Sequence, residues 1–393
     1  MTQAHRPPIT SIALLGLVQI LVWGGSFFLM AVLASPVIAE TGWARQWVYG
    51  ALSLGILVYG LLAPCSGRLI LRYGGRVLLC SSGIITAAGL LVLAMAGSLP
   101  VFLLGWAILG VGMAAGLYDA LFATLGHVYG PNARSAITGV TLISGFATTV
   151  VWPAVAVLIA YCGWRQACCV YAVLLLLLVW PMYAKALPAP GLANAGSGAP
   201  PGDSAQVDAR LYALLAAIFT LAAVVMTAMS VHLIALLEGR GYSLAGAVSM
   251  GALLGPSQVG SRVVDMLARK RHPVWTTCIS VSLVLAGLLL IALLPGAAAL
   301  GVMLYGAGNG LRAIVRGTLP LSLVAAADYP VLMGRMARPA LLGQAATPLV
   351  GGYLIDAWGA GAAWLVLCGL AVLNLLLVLL LARRLPRWTA LPA

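Results

Sequence analysis

Charged residues are scarce in this chain, and acidic ones are the scarcest. The 393 residues include 21 Lys and Arg but only 8 Asp and Glu, so 7% of the sequence is charged. A soluble protein of this length carries about a quarter charged residues. No soluble core could bury a chain in which 63% of the residues are hydrophobic. The low charge therefore excludes a soluble domain and predicts a protein that is solvated by lipid.

Several other features are rare or missing. Only 6 Phe beside abundant Leu, Ala, Gly and Val favour helices packed through small residues over an outer-membrane barrel. The 7 Cys are scattered without metal-ligand spacing, so we expect neither a metal nor a cofactor. The sequence has no phosphate-binding loop and no Gly-x-Ser-x-Gly. We therefore expect that the protein is not an enzyme and that any energy comes from an ion gradient or from substrate exchange.

Long apolar runs are what the sequence has in quantity. A run of about 20 apolar residues crosses a bilayer as a helix, and such runs recur along the whole chain. We predict spans at 11–35, 44–64, 77–97, 101–126, 137–161, 166–184, 211–236, 245–267, 274–294, 298–322, 339–357 and 362–382.

One long polar interval divides these spans into two sets of six. Residues 185–210, KALPAPGLANAGSGAPPGDSAQVDAR, are rich in Pro, Gly, Ala and Ser, which is typical of a flexible linker. We predict an N-terminal six-helix bundle at 1–184 and a C-terminal six-helix bundle at 211–393.

The basic residues alternate between the loops on the two sides of the membrane. With the N-terminus inside, the outer loops contain only Arg45, Arg165 and Arg240, while the cytoplasmic loops collect most other Lys and Arg. This bias predicts a multi-pass protein of the inner (plasma) membrane with both termini in the cytoplasm. Topology and the lipid bilayer thus account for the net charge of +13. We expect no nucleic-acid partner, and we expect a monomer.

Span 2 and span 8 end in similar stretches. GLLAPCSGRLILRYGGR leads from span 2 into a basic loop, and GALLGPSQVGSRVVDMLARKR does the same at span 8. Two six-helix halves repeated in parallel are typical of secondary transporters, whose substrate site lies between the halves near the membrane midplane. The loop after span 2 contains a regular series of glycines and arginines: Gly67, Arg68, Arg72, Gly74 and Arg76.

On these residues the chain resembles the major facilitator superfamily over its full length. Residues 67–76, GRLILRYGGR, are similar to its signature loop, and Gly110-x-Gly112 in span 4 and Gly163-Trp164-Arg165 after span 5 are typical of it. The resemblance implies an all-α polytopic membrane protein with twelve transmembrane helices in two pseudo-symmetric six-helix bundles. It also implies that the glycines and arginines of the signature loop act in gating. Leu71 stands where the family usually has an Asp that helps to latch the cytoplasmic side.

Within the superfamily, two features are similar to the monocarboxylate-porter-like group and its bacterial relatives. One is the step from Gln258 to Arg262 in span 8, and the other is Tyr118 in span 4. The resemblance implies that these three residues hold a substrate carboxylate.

Polar residues in span 8 form a stripe. Gln258 and Arg262 are four residues apart and lie on one helical face, which Asp265 continues. An Arg stays charged at any working pH and binds a carboxylate through two parallel hydrogen bonds, so Arg262 is a candidate anchor for an anion. In the alternative, Arg262 pairs with Asp265 and reaches the inner interface. Asp265 is a candidate gating residue.

Other polar residues at membrane depth are further candidates, because such residues usually face the bundle interior. Asn309 and Arg312 share a face of span 10, and Arg312 is either a substrate ligand or a clamp between helices. Asp119 in span 4 is either a proton carrier or part of a permanent salt bridge. Gln344 in span 11 is a candidate for lining the cavity. The residues from Trp23 to Phe27 on span 1 serve close packing or form a substrate wall.

The leading hypothesis is a secondary transporter that moves a small organic anion, such as a monocarboxylate, with a coupling proton. The alternatives are an exporter of drugs or of a toxic metalloid, and a non-transporting membrane sensor. The arginines favour an anion over neutral or cationic cargo, and a sensor would need a long extramembrane domain.

Overall fold

The computed structural model describes residues 7–188, 208–268, 272–325 and 327–384, and within these ranges it contains helices and no strand. The longer helices are α1 (Ile9–Gly24), α2 (Met30–Thr41), α3 (Arg45–Tyr73), α4 (Gly75–Ala94), α5 (Leu99–Gly116), α6 (Tyr118–Tyr129), α7 (Ala133–Ser144), α8 (Ala147–Ala186), α9 (Ala209–Glu238), α10 (Leu244–Gly251), α11 (Leu254–Leu267), α12 (Pro273–Leu293), α13 (Ala298–Leu321) and α14 (Tyr329–Arg384). Short 3-10 turns lie at Gly130–Asn132 and Pro295–Ala297.

Two of these helices each contain two membrane passes. Gly163 in α8 and Gly359 in α14 interrupt the helical backbone with φ values of 80° and 79°. A glycine adopts a positive φ without steric cost, so one helix ends and the next begins at both positions. Divided there, and joined across shorter breaks elsewhere, the helices of the described residues form twelve helical segments. The prediction of an all-α polytopic membrane protein is confirmed.

Four passes differ from the prediction because their helices are broken. The passes predicted at 11–35, 101–126, 137–161 and 245–267 as continuous helices are split between α1 and α2, α5 and α6, α7 and α8, and α10 and α11. In a bilayer, non-helical backbone is tolerated only where protein or water satisfies its polar groups. These breaks therefore mark places where other protein groups or water must supply hydrogen bonds.

The outer surface of the helices is apolar. Among the described residues, eight helical stretches are long and apolar enough to cross a membrane by length and composition. Large hydrophobic side chains point outward, with Leu177 67% exposed and Leu365 77% exposed. A water-soluble protein rarely exposes so many large apolar side chains in contiguous patches, so this surface is suited to lipid.

The chain forms two compact units. Unit 1 contains residues 1–207 and 324–345, and unit 2 contains residues 208–323 and 346–393. Residues 189–207, which make up most of the predicted linker, lie outside the described residues. The predicted bundles at 1–184 and 211–393 remain a prediction, and the contacts add that residues 324–345 associate with unit 1.

Candidate functional site

The fourth pass breaks at Leu117, between α5 and α6. The backbone of Leu117 is extended, with φ −79° and ψ −176°. The carbonyl of Gly116 accepts hydrogen bonds from Gln19 Nε2 at 2.7 Å and from the Tyr183 hydroxyl at 3.4 Å. Both donor side chains are fully buried. Side chains from α1 and α8 thus satisfy the broken backbone inside unit 1, as a bilayer requires.

This break puts Asp119 in the first turn of α6. The residue is 4% exposed, and the hydroxyl of Tyr59 donates a hydrogen bond to its carboxylate. The peptide dipoles at a helix N-terminus favour a negative charge at this position. Asp119 also borders a narrow pocket within unit 1, whose other walls include Ser66, Pro330 and Gly334. The candidate for proton carrier or salt-bridge partner thus receives a hydrogen bond from Tyr59 and borders this pocket.

Tyr118, next to Asp119, points into a group of aromatic rings. Its ring lies 5.0 Å from that of Trp23 and stacks on Phe122 at 5.0 Å, and its hydroxyl lies 2.6 Å from Ser144 Oγ. Trp23 also contacts Phe27 and Phe28. We call these five rings the aromatic cluster. It joins the break between α1 and α2 to the break at Leu117.

The signature loop contacts the beginning of α14 through glycines. A methyl group added at Gly67 would lie 2.9 Å from the Pro330 carbonyl carbon, and one at Gly334 would lie 2.5 Å from the Ala63 carbonyl oxygen. The helices of unit 1 approach this closely because neither position has a side chain. Gly74, with φ 84°, separates α3 from α4.

The basic residues of the loop do not take part in this close contact. Arg68 and Arg72 are exposed, and Arg76 is half-buried in the first turn of α4. Arg68 donates to Cys65 Sγ at 3.6 Å, and the guanidinium of Arg72 lies 5.2 Å from the centre of the Tyr73 ring.

In the eighth pass, Gln258 and Arg262 lie on the face of α11 that packs against α13. Arg262 is 6% exposed and its Nε donates to the Gly310 carbonyl at 3.2 Å. A methyl group at Gly310 would lie 2.7 Å from the Gln258 Cα, so the two backbones are close there. Asp265 instead accepts a hydrogen bond from the Thr276 hydroxyl of α12 at 2.9 Å. Arg262 and Asp265 are thus oriented by different helices.

Asn309 and Arg312 line a small cavity of about 30 Å³ inside unit 2. Arg312 Nε donates to Asn309 Oδ1 at 2.8 Å, so the predicted pair does share one face of α13. The walls come from α9, α12, α13 and the second part of α14, and none of the described lining residues is acidic. The cavity therefore has a permanent positive charge at one wall.

Two further polar residues of this cavity were missed by the sequence reasoning. Tyr305 and Asn374 are 2% and 4% exposed, and both line the cavity. The Tyr305 hydroxyl and the Asn374 Oδ1 find no hydrogen-bond partner among the described residues. Asn374 is a lone amide in the apolar run LAVLNLLLVLLL, a signal that could have identified it.

The predicted substrate residues thus fall into several places. Gln258 and Arg262 lie together in unit 2, as do Asn309 and Arg312, whereas Tyr118 is part of the aromatic cluster of unit 1. Gln344 is 3% exposed and belongs to the segment of α14 that associates with unit 1.

Comparison with known proteins gives matches over most of the chain. The family model described as Major Facilitator Superfamily matches residues 15–330. No curated protein sequence matches. Solved structures of transporters are similar in fold. The human organic anion transporter MFSD10 (TETRAN) has a TM-score of 0.71 at 18% identity, covering 95% of this chain and 100% of that one.

The other two structures are transporters as well. The superfamily transporter FucP in the outward conformation has a TM-score of 0.74 at 15% identity, covering 95% of this chain and 98% of that one. The proton:xylose symporter XylE bound to 6-bromo-6-deoxy-D-glucose has a TM-score of 0.68 at 14% identity, covering 96% of this chain and 95% of that one.

Proposed function

The chain belongs to the Major Facilitator Superfamily and is a membrane transporter rather than an enzyme, and we propose that it moves a small organic anion by alternating access. The simplest cargo of this kind is a monocarboxylate, and we propose a proton as the coupling ion. The observation that carries the proposal is the position of Arg312 and Asn309 at a cavity of unit 2 whose described lining has no acidic residue.

Electrostatics supports an anion at this cavity. An arginine at membrane depth costs from about 2.5 to more than 10 kcal/mol when it faces lipid, so Arg312 has to face protein, water or a ligand. The Arg312 side chain lines the cavity and is held by the Asn309 amide. A guanidinium so oriented can bind a carboxylate through parallel N–H groups. A neutral or cationic cargo would gain nothing from this charge.

The remaining predicted residues have supporting roles in the proposal. Arg262 donates to the Gly310 carbonyl and so holds α11 against α13, two residues before Arg312. We propose that Arg262 and Gln258 fix the position of the anchor, and that Tyr118 and Gln344 contact the substrate at other stages of the cycle.

The coupling proton is assigned to Asp119. This carboxylate is buried, receives a hydrogen bond from Tyr59 and borders an internal cavity. A buried acid with such a cavity beside it can bind and release a proton as the cavity opens. In this proposal the anion binds at the unit 2 cavity, whose described walls have no carboxylate. The proton binds at a different place, on the Asp119 carboxylate of unit 1.

Gating is assigned to the signature loop and to Asp265. Gly67 and Gly334 give the close contact between α3 and the beginning of α14, and Pro330 and Gly334 also wall the Asp119 cavity. Separation of this contact would open the cavity next to the proposed proton carrier. We further propose a monomer in the inner membrane with both termini in the cytoplasm.

Uptake into proteoliposomes tests the function. The purified protein is reconstituted, a pH gradient is imposed, and accumulation of a panel of radiolabelled carboxylates is measured. We expect accumulation of at least one carboxylate that disappears with the protonophore, and a loss of at least about tenfold in Arg312→Lys because Lys lacks the planar donor fork. Arg383→Lys, at the exposed end of α14, is the control. Failure of every carboxylate in the panel would refute the proposal.

Export of a drug-like molecule is the second candidate, and the aromatic cluster of unit 1 favours it. Aromatic faces bind flat apolar or cationic cargo, and Trp23 and Tyr118 lie beside helix breaks. The same proteoliposomes distinguish the two functions: transport of a lipophilic cation with no response to any carboxylate would select the second.

A further inference from the structure

The cavity of unit 2 contains two buried polar groups that the anchor does not use. The hydroxyl of Tyr305 and the Oδ1 of Asn374 have no hydrogen-bond partner among the described residues, and both residues are at least nine-tenths buried. Buried polar atoms in native proteins are almost always hydrogen-bonded. We therefore infer that a ligand in this cavity carries a polar group that bonds to these two atoms.

The two groups together define the chemistry of that polar group. A tyrosine hydroxyl can donate, and an amide oxygen only accepts. A hydroxyl on the ligand can serve as a partner to either group, because it can accept from Tyr305 and donate to Asn374. An ether or ketone oxygen could only accept and would leave the Asn374 oxygen without a partner.

The position of Tyr305 sets where on the ligand this hydroxyl must be. Tyr305 and Arg312 are on the same helix, seven positions apart in number, and at ~1.5 Å per residue this is about 10 Å along the axis. A ligand that reaches both has its carboxylate at one end and its hydroxyl at the other. It must therefore be extended.

The walls between these ends are apolar. Phe219, Val225 and Met226 of α9 and Val281 and Val284 of α12 line the cavity. The hydroxyls of Ser280 and Thr277 donate to backbone carbonyls of Gly308 and Pro273, at 2.7 and 2.9 Å. A carbon framework without further polar groups fits such walls, since extra hydroxyls would lose their hydration without replacement.

We propose that the transported anion is an extended carboxylate with an apolar framework and a hydroxyl group at the end opposite the carboxylate. Tyr305 and Asn374 are the residues that select for this hydroxyl. The inference rests on the proposed function, because it assigns the carboxylate to Arg312 and Asn309, and it narrows the substrate class. Short carboxylates and anions without the distal hydroxyl are then poor ligands.

Binding of two matched acids tests the selection. Para-hydroxybenzoate and benzoate differ only in the distal hydroxyl, and their affinities for the purified full-length transporter are measured by calorimetry. We expect para-hydroxybenzoate to bind at least about tenfold more tightly, since a buried polar site left unpaired by the ligand loses affinity. Para-methoxybenzoate, which accepts but does not donate, should bind like benzoate or more weakly.

Variants locate the effect. Tyr305→Phe keeps the ring and removes the hydroxyl, so it should remove most of the preference while benzoate binding is retained, which also shows that the variant is folded. Asn374→Leu should do the same. Tyr353→Phe, whose side chain is 67% exposed on unit 2, is the control and should keep the full preference.

Three results would overturn the inference. These are equal affinity of the two acids for the unaltered protein, no binding of either acid, and an unchanged preference in both Tyr305→Phe and Asn374→Leu. The proposed function is decided separately by the uptake panel. If other carboxylates accumulate while one of these three results is found, the distal hydroxyl is refuted as a substrate feature. The proposal that the protein transports an organic anion is then still supported.

Discussion

The hydroxyl of Tyr59 donates a hydrogen bond to the carboxylate of Asp119, and this bond joins α3 to the first turn of α6. Both residues are nearly fully buried, with 3% and 4% exposure. A hydrogen bond to a charged group contributes about 1.5–3 kcal/mol, and the N-terminus of α6 adds a favourable field. The carboxylate is therefore held in one position although its neighbours in sequence are apolar.

Replacement of Asp119 by Asn tests the proton carrier. Asn keeps the size and can still accept from Tyr59, but it cannot exchange a proton. We expect Asp119→Asn to lose accumulation driven by a pH gradient and to retain exchange of labelled for unlabelled anion, both measured in proteoliposomes. Asp208→Asn is the control, because Asp208 is exposed and Asn caps a helix equally well. Gradient-driven accumulation by Asp119→Asn at the unaltered rate would exclude this role.

The break at Leu117 depends on Gln19. Gln19 donates to the Gly116 carbonyl and accepts from Trp23 Nε1 at 3.0 Å. Gln19→Leu removes this partner from the buried Gly116 carbonyl and from the partly buried Trp23 Nε1, so we expect a loss of about 1–3 kcal/mol in stability. The measurement is thermal unfolding of the purified protein in detergent. Gln46→Leu, at an exposed position of α3, should change little, and equal melting temperatures for the two variants would contradict the prediction.

Arg165 is expected to tolerate Lys poorly. One of its terminal nitrogens donates to the Ala94 and Ala96 carbonyls at 3.0 and 2.8 Å, while Nε donates to Glu40 at 2.9 Å. Lys is a point charge without a planar fork, so Arg165→Lys should lower the melting temperature. Glu40→Gln should have a small effect, since this ion pair is partly exposed and exposed pairs contribute about 0–1 kcal/mol. A larger loss in Glu40→Gln than in Arg165→Lys would reverse this interpretation.

The passes could be predicted from the sequence because each depends on a local run of apolar residues. The pairing of Asn309 with Arg312 could also be predicted from neighbouring residues, since three residues along a helix bring two side chains to one face. The break at Leu117 could not be predicted from the residues around it. Its carbonyl partner Gln19 is 97 residues from Gly116, and Leu117 itself is neither Gly nor Pro.

The cavity of unit 2 shows the same limit. Tyr305 looked like an ordinary aromatic residue of an apolar helix, and Asn374 stood alone in its run. Only the packing of α9, α12, α13 and the second part of α14 brings both beside Arg312. For Arg262, the sequence showed the four-residue spacing from Gln258. The sequence did not show the hydrogen bond from Arg262 to the Gly310 carbonyl, because that bond joins two different helices.

Two alanine substitutions in α3 should have opposite effects, which tests the glycine contact of the signature loop. At Gly67 the added methyl would lie 2.9 Å from the Pro330 carbonyl carbon and 3.1 Å from the Val331 Cα, both backbone atoms. Such overpacking costs about 1–3 kcal/mol. At Gly50, in the same helix, the methyl would meet nothing within 4 Å, and Ala in a helix is favoured over Gly by about 0.5–1 kcal/mol.

Gly67→Ala should therefore lower the melting temperature and Gly50→Ala should raise it or leave it unchanged. If the contact between Gly67 and Pro330 also closes the transporter, Gly67→Ala should in addition expose the Asp119 cavity, because Pro330 is one of its walls. Labelling of Asp119 by a hydrophobic carbodiimide, followed by mass spectrometry, measures this exposure, and it should rise in Gly67→Ala but not in Gly50→Ala. Equal labelling of the two variants would show that the glycine contact holds helices together without governing access to the carboxylate.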